Sequence, residues 1–297
     1  MLNPGGPPAA RTAPPRTGIM PLNVDLHSHS SCSDGVLPPA QVAARAREQG
    51  VDWWSLSDHD ETSGLAEAAA AARELGLGFI PGVEISVTFC GLTVHVLGLN
   101  IDPEQPDLRA GLAGIRRSRF ERAGEIAERL QDCGIAGAYE GALRQVDNPD
   151  LIGRVHFARH LLEQGHCRTL QQAFDRYLGD GKRAFVPMRW PSLEAAVAWI
   201  RAAGGKAVIA HPGRYRYTLQ QFDALFEAFK SLGGVGLEVV SSGHTPAQCN
   251  RYARVAQAYG FEASRGSDFH APGIPRAELG RVPPLPEYLT PVWRDWI

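Results

Sequence analysis

The sequence predicts an α/β fold in which β-α units surround a mostly parallel sheet and one connection carries a helical insert. Three observations predict it. Short β-branched runs alternate with longer alanine- and leucine-rich stretches from residue 24 onward. Between roughly 105 and 190 the alternation stops, and helical patterns follow one another without a convincing strand. After that stretch the alternation resumes.

Length and composition limit the class of protein. The chain has 297 residues, of which 44% are hydrophobic and 21% charged, enough to bury a sizeable core. Lys and Arg number 30 against 32 Asp and Glu, so no overall positive field exists to hold long nucleic acid. Five cysteines without a C-x-x-C motif, and no long apolar run, predict a reducing, cytoplasmic location without a membrane span.

The elements follow in order along the chain. Residues 1–20 are rich in Pro and Gly and are expected to be a disordered leader. Strands are predicted at 24–27, 53–57, 78–80, 93–99, 206–210, 236–239 and 262–264. Helices with apolar residues at three- and four-residue spacing are predicted at 39–49, 64–75, 193–203, 219–232 and 246–259. The sheet and its helices then comprise 21–104 and 191–297, and 105–190 forms the insert, a lid or substrate lobe.

Imidazoles and carboxylates gather at the predicted strand ends. Six of the ten histidines lie there, namely His27, His29, His59, His95, His211 and His270. Because alternate residues of a strand share a face, His27 and His29 can present two imidazoles to one cation. A single such residue, for example His95, is more often a hydrogen-bonded core histidine. Together with Asp34, Asp60, Glu84 and Asp268, the set favours a site for several metal ions, because burying so many unpaired groups costs several kcal/mol.

The ordered motifs resemble the polymerase and histidinol phosphatase (PHP) superfamily of metal-dependent phosphoesterases. The resemblance spans roughly residues 24–282 and rests on DLHSHSSCSDG, SLSDHDE, PGVEIS, HVLG, AHPGR and GSDFHAP. The insert and the segments LIGRVHFARHL and GLEVVSSGHTP look most like the stand-alone bacterial branch that hydrolyses nucleoside 3′,5′-bisphosphates and trims RNA from its 5′ end. The resemblance implies a distorted (β/α)7 barrel with three divalent ions at its C-terminal face.

The resemblance also implies a ligand set. The first ion would be held by His27, His29, Glu84 and Asp268; the second by Asp34, His59 and His270; the third by Glu84, His95 and His211. Glu84 would therefore bridge two ions. Some members of the superfamily have histidine where Asp34 stands, and the additional oxygen favours Mn²⁺, with Fe²⁺ or Zn²⁺ as alternatives.

Such a site would cleave a phosphate ester by attack of a metal-bound hydroxide. The leaving oxygen needs a proton, and His211, Asp60, Glu238 and His244 all remain candidates for its donor.

Cationic side chains of the insert are candidates for binding the substrate. They are Arg119, Arg122, Arg154 and His156, with His244 added from the barrel. Arg119 and Arg122 are three residues apart and share a helix face, although a run of charges is as often only a solvated face. The remaining insert histidines, His160 and His166, are expected at the surface.

The leading hypothesis is a phosphohydrolase that removes the 3′-phosphate of nucleoside 3′,5′-bisphosphates or trims short RNA ends. Its expected partners are those nucleotides, with no membrane and no stable complex with long nucleic acid. The alternatives are a histidinol-phosphate or general sugar phosphatase and, from another class, a non-catalytic metal-binding regulatory domain. A module that only binds nucleic acid is disfavoured by the net charge of -2.

Overall fold

A seven-stranded sheet curls into a barrel. The computed structural model describes residues 22–146 and 148–297, so the predicted leader lies outside the described residues. The strands are β1 (Val24–Asp25), β2 (Trp53–Leu56), β3 (Gly78–Phe89), β4 (Leu92–Leu99), β5 (Lys206–Ile209), β6 (Gly236–Ser241) and β7 (Glu262–Gly266), and they lie in that order in the sheet. The two edges meet where Leu26 N donates to Arg265 O and Asp268 N donates to His27 O. The predicted distorted (β/α)7 barrel is confirmed.

Strand β4 is the exception to the parallel arrangement. It pairs antiparallel with both β3 and β5, whereas the other neighbouring strands are parallel. The tight connection from β3 to β4 passes through Cys90 and Gly91, both with positive φ.

The predicted strand 78–80 is too short, and the expectation that Glu84 follows a strand end is wrong. Strand β3 continues to Phe89, and Glu84 lies in its middle, opposite Leu97 of β4. Gly82 is required by close packing within the strand, since a Cβ there would lie 2.5 Å from Ser55 Oγ.

The described part of the chain forms nine helices; some pack around the barrel and others, between β4 and β5, pack against one another. They are α1 (Pro39–Glu48), α2 (Leu65–Glu74), α3 (Pro106–Asp132), α4 (Ala138–Leu143), α5 (Arg154–Glu163), α6 (Leu170–Ala173), α7 (Leu193–Ala202), α8 (Leu219–Ser231) and α9 (Pro246–Tyr259). Single turns occur at Pro149–Leu151, Phe174–Leu178, Pro212–Arg214 and Pro275–Ala277. Among the described residues, no helix is long and apolar enough to cross a membrane.

Helix α3 connects two hydrophobic cores. Its N-terminal half places Leu108 and Leu112 in the barrel core, and its C-terminal half places Ile126 and Leu130 in a separate core built from the following helices. The second core carries one correction to the sequence analysis. His160 was expected at the surface but is 4% exposed, because its ring fills the space beside Gly141, where a Cβ would lie 2.2 Å from it.

Candidate metal centre

The predicted histidines lie close together at one end of the barrel. His27 and His29 follow β1 and are both fully buried. Their ring centroids lie 5.2 Å apart, and the ring of His29 stacks on that of His270 at 4.1 Å. The ring of His211 stacks on that of His27 at 5.5 Å, and His59 lies between His29 and His95. One end of the barrel therefore carries all six.

Glu84 lies at the middle of this set. Its Oε1 is 2.9 Å from Nε2 of His211 and 3.0 Å from Nδ1 of His95. Its Oε2 is 3.0 Å from Nδ1 of His59 and within 3.4 Å of the Nε2 atoms of both His27 and His29. The carboxyl is completely buried. Burial opposes ionisation, but the charges of the surrounding imidazoles outweigh it and hold the pKa of Glu84 well below its ordinary value.

Three groups of side chains within the described residues place their ligand atoms close enough to share a cation. They are His27, His29, Glu84 and Asp268; His29, Asp34, His59 and His270; and His59, Glu84 and His95. His211 contacts Glu84 at the edge of the third group. The groups differ from the predicted ligand set in three ways: His29 faces two groups, His59 joins Glu84 and His95, and His211, predicted as a ligand of the third ion, belongs to none of the three groups.

The buried nitrogen and oxygen atoms of these groups are better suited to binding metal ions than to hydrogen bonding with one another. Within the described part of the chain, His27 Nε2, His29 Nδ1, His59 Nδ1 and Glu84 Oε2 are buried without a hydrogen-bond partner. They nevertheless lie 3.0 to 3.7 Å from opposing carboxylate oxygens or imidazole nitrogens of the same groups. Leaving such groups buried and unsatisfied is costly, and a divalent cation bound by nitrogen and carboxylate oxygen would satisfy them together.

Protonation differs among these groups. Burial, against the opposing charges of Glu84 and Asp34, lowers the pKa of His59 to about 4. Burial has the same effect at His270, but a hydrogen bond to Asp34 and the charge of that carboxylate raise its pKa to about 9. Partial desolvation opposes ionisation of Asp34, whose side chain is half exposed, but the charge of His59 and the hydrogen bond to His270 outweigh it and lower the pKa of Asp34. His59 is therefore ready to act as a ligand at neutral pH.

Buried carboxylates behind the ligands fix the loops that carry them. Asp58 accepts hydrogen bonds from Ser30 N at 2.7 Å and from Ser30 Oγ at 2.6 Å, next to His29. Asp25 accepts from Ser267 N at 2.8 Å, next to Asp268. These bonds hold two ligand-bearing loops against the barrel end.

Several residues at this end have left-handed backbone. Asp60, His211 and Asp268 have φ values of 54°, 26° and 53°, which are unfavourable for residues other than glycine. Such strain is found where a fold aims a functional side chain. Here it turns the chain sharply just beyond a strand.

Asp60 is bound to the insert rather than exposed. Its Oδ2 accepts from Arg119 at 2.7 Å, its Oδ1 accepts from Ser86 N at 2.8 Å, and its carbonyl accepts from Arg116. The residue is fully buried. It therefore holds the guanidinium of Arg119 in place and is not accessible as a proton donor.

A cavity of about 500 Å³ opens between the metal-ligand groups and the insert. On the barrel side it is lined by Asp34, Val36 and His59. On the insert side it is lined by Arg119, Asn148, Leu151, Val155, His156 and Arg159. It combines cationic, polar and apolar walls next to the candidate ligands, as a nucleotide would require.

Not every predicted substrate residue lines this cavity. Arg154 donates to Leu178 O and to Asp180, and Arg122 donates to Val186 O, so both support the insert. Burial and the nearby charges of Arg154 and Arg119 lower the pKa of Arg122 to about 10. His156 does line the cavity, and it accepts from Gly153 N at the start of α5.

His244 has both ring nitrogens occupied inside the fold. Gly213 N donates to its Nε2 at 3.0 Å, and its Nδ1 lies 3.1 Å from Val239 O. This geometry favours a structural role for His244 over contact with substrate.

Two cationic residues of the site were missed by the sequence analysis. Arg159 lines the cavity, one helical turn beyond Val155. Arg214 contacts Asp268 from the turn after β5 and remains half exposed. Arg159 shares a face with His156, which is three residues earlier, and this spacing could have identified it. Arg214 follows the motif AHPG directly, so its closeness in sequence to His211 could also have identified it.

A strand-end cluster of histidines and carboxylates on a seven-stranded barrel defines the class of this protein. The chain belongs to the PHP family, whose domain model matches residues 25–242.

Individual relatives resemble nearly the whole chain. A 3′,5′-nucleoside bisphosphate phosphatase from Chromobacterium violaceum is 47% identical over 273 residues, covering 92% of this chain and 96% of the relative. A 5′-3′ exoribonuclease from Haemophilus influenzae is 42% identical over 277 residues, covering 93% of this chain and 100% of the relative. The solved structure of an amidohydrolase from Chromobacterium violaceum with bound sulfate superposes with a TM-score of 0.81, at 47% identity, covering 92% of this chain and 95% of the other.

Proposed function

We propose that the protein is a metal-dependent phosphohydrolase that removes the 3′-phosphate of nucleoside 3′,5′-bisphosphates and trims short RNA from its 5′ end. One observation carries the proposal: three ligand groups meeting at or beside Glu84 adjoin a cavity with arginine on its opposite wall. Relatives named for those two activities align over nearly the whole chain. Mn²⁺ is the proposed ion, because the donor set combines imidazole nitrogens with the carboxylates of Asp34, Glu84 and Asp268.

The ligand groups would hold two or three divalent cations. When bound, such cations neutralise phosphate oxygens and make water a better nucleophile near neutral pH. The chain's own side chains do the remaining work. Arg119, held by Asp60, and Arg159 approach the cavity from the insert and suit the second phosphate of a bisphosphorylated nucleotide. Val36, Leu151 and Val155 provide apolar contact for a base or ribose.

The helical region 105–190 acts in this proposal as a substrate lobe. Arg119 of α3 reaches the barrel at Asp60, and Asn148 donates to Cys32 O in the loop that follows His29. The lobe is thus bonded to the barrel on two sides of the cavity. A substrate with a single phosphate would use the metal centre and would gain no phosphate contact from the arginines of the lobe.

Phosphate release from adenosine 3′,5′-bisphosphate in the presence of Mn²⁺ tests the proposal, with histidinol phosphate as the comparison substrate. We expect turnover of the bisphosphate, and nucleotide release from a short 5′-phosphorylated RNA. Arg159→Ala should raise KM for the bisphosphate about 10-fold or more, the cost of one charge-assisted hydrogen bond. Arg168→Ala, at an exposed position of the same lobe, is the control. Turnover of histidinol phosphate without any of the bisphosphate would contradict the assignment.

A further inference from the structure

Glu238 is a buried carboxylate beside the metal-ligand groups that belongs to none of them. It lies on β6, between the strands that lead to His211 and to Asp268. The strand has an irregularity at this point: Glu238 pairs with Ser264 and Val240 with the next residue, Arg265, so that Val239 is additional.

Both oxygens of Glu238 hold parts of the ligand set. Oε1 lies 3.0 Å from Nδ1 of His27, and Oε2 accepts from the backbone N of His211 at 2.6 Å. The first contact leaves Nε2 of His27 directed at Glu84 and Asp268, at 3.3 and 3.4 Å. The second holds the peptide of His211 in its strained left-handed conformation. One side chain thereby orients ligands from two distant strand ends.

Gly266 leaves space for the contact between Glu238 and His27. A Cβ on Gly266 would lie 2.2 Å from Cβ of His27 and 2.9 Å from Oε1 of Glu238. Strand β7 therefore passes close behind the contact between Glu238 and His27, and the absence of a side chain there permits it.

We propose that Glu238 is a positioning residue that keeps the proton of His27 on Nδ1 and so presents Nε2 to a metal ion. The inference rests on the proposed function, in which the centre binds divalent cations. A ligand histidine needs its second nitrogen to donate to an acceptor, and loss of that acceptor commonly costs 10- to 100-fold in metal affinity. Glu238 also accepts from His211 N, so its effect extends to the edge of the third ligand group.

Glu238→Gln is the informative change, because glutamine has the same size but only one acceptor oxygen. If that oxygen accepts from His211 N, the amide NH₂ faces Nδ1 of His27 and favours a proton on the metal-facing Nε2. If it faces His27, two donors meet at His211. Either arrangement loses one of the two contacts. Ser264→Ala is the matched control, since Ser264 is the buried register partner of Glu238 and its Oγ has no hydrogen-bond partner among the described residues.

Calorimetric titration of metal-stripped protein with Mn²⁺ gives the test. We expect Glu238→Gln to bind at least one Mn²⁺ about 10- to 100-fold more weakly, with Ser264→Ala within twofold of the wild type. Thermal unfolding of the metal-free proteins should place both variants near the wild type, and excess Mn²⁺ should restore most of the kcat of Glu238→Gln. Equal Mn²⁺ affinity in Glu238→Gln and the wild type would overturn this inference alone.

A second measurement does not depend on the variant folding. In Zn²⁺-loaded wild-type protein, ¹⁵N chemical shifts should show His27 protonated at Nδ1, and the opposite tautomer would overturn the inference. A wild-type protein that binds neither Mn²⁺ nor Zn²⁺ would overturn the proposed function itself.

Discussion

Asp60 of the barrel is expected to influence substrate binding in the lobe, because it forms an ion pair with Arg119. The two side chains are 15% and 0% exposed and meet at 2.7 Å. A hydrogen bond to a charged group contributes about 1.5–3 kcal/mol. If Arg119 makes one such bond to a substrate phosphate, Arg119→Ala should lower kcat/KM for adenosine 3′,5′-bisphosphate about 10- to 150-fold.

Asp60→Asn should have a related effect for an indirect reason. Asparagine can still accept from Ser86 N, but its NH₂ group would oppose the guanidinium of Arg119. Because Asp60 acts through Arg119, the double variant should be no worse than Arg119→Ala alone. Steady-state kinetics of the two single variants and the double variant measure this coupling.

Arg117→Ala is the control for these variants, since Arg117 is exposed on the same helix. Thermal unfolding separates loss of function from loss of fold, because breaking a buried pair also destabilises a protein. Losses of Arg119 and Asp60 that multiply in the double variant would refute the positioning role of Asp60.

Three further changes have defined outcomes. Glu84→Gln should remove bound metal and lower kcat by more than about 100-fold, as checked by metal analysis and phosphate release. Gly266→Ala should lower the free energy of unfolding by about 3 kcal/mol, because its Cβ would collide with His27; urea titration measures this. Glu278→Gln should cost about 1 kcal/mol at pH 7, because Glu278 accepts two hydrogen bonds from Arg45, and less in acid.

The direction of that pH dependence follows from the pKa of Glu278, which its hydrogen bond from Arg45 lowers below the ordinary value. The stabilisation is complete above the pKa of the unfolded chain and is lost as pH falls through the lower pKa of the folded one. Unfolding titrations at pH 7 and pH 3 should therefore show a smaller cost of Glu278→Gln at pH 3. Glu104→Gln, which breaks a pair exposed on both sides, is the control. A pH-independent cost would indicate lost packing instead.

The amino-acid sequence determined the approximate positions of the seven strands, although not the continuation of β3 through Glu84. Periodicity of two and of 3.6 residues is local, so it located β2, β5 and α9 to within about two residues. The H-x-H pair of His27 and His29 was readable for the same reason, because alternation along a strand places both rings on one face.

Only the tertiary structure decided how those groups are combined. Glu238 contacts His27, which is 211 residues away in the chain, and Arg119 of α3 contacts Asp60 in the loop between β2 and α2. The arginines of the insert could not be ranked from sequence, because periodicity gives the face of a helix and not what that face meets. Arg154 pairs with Asp180 and Arg159 lines the cavity. Contacts between residues far apart in the chain depend on the packing of the whole barrel and lobe, which no short segment specifies.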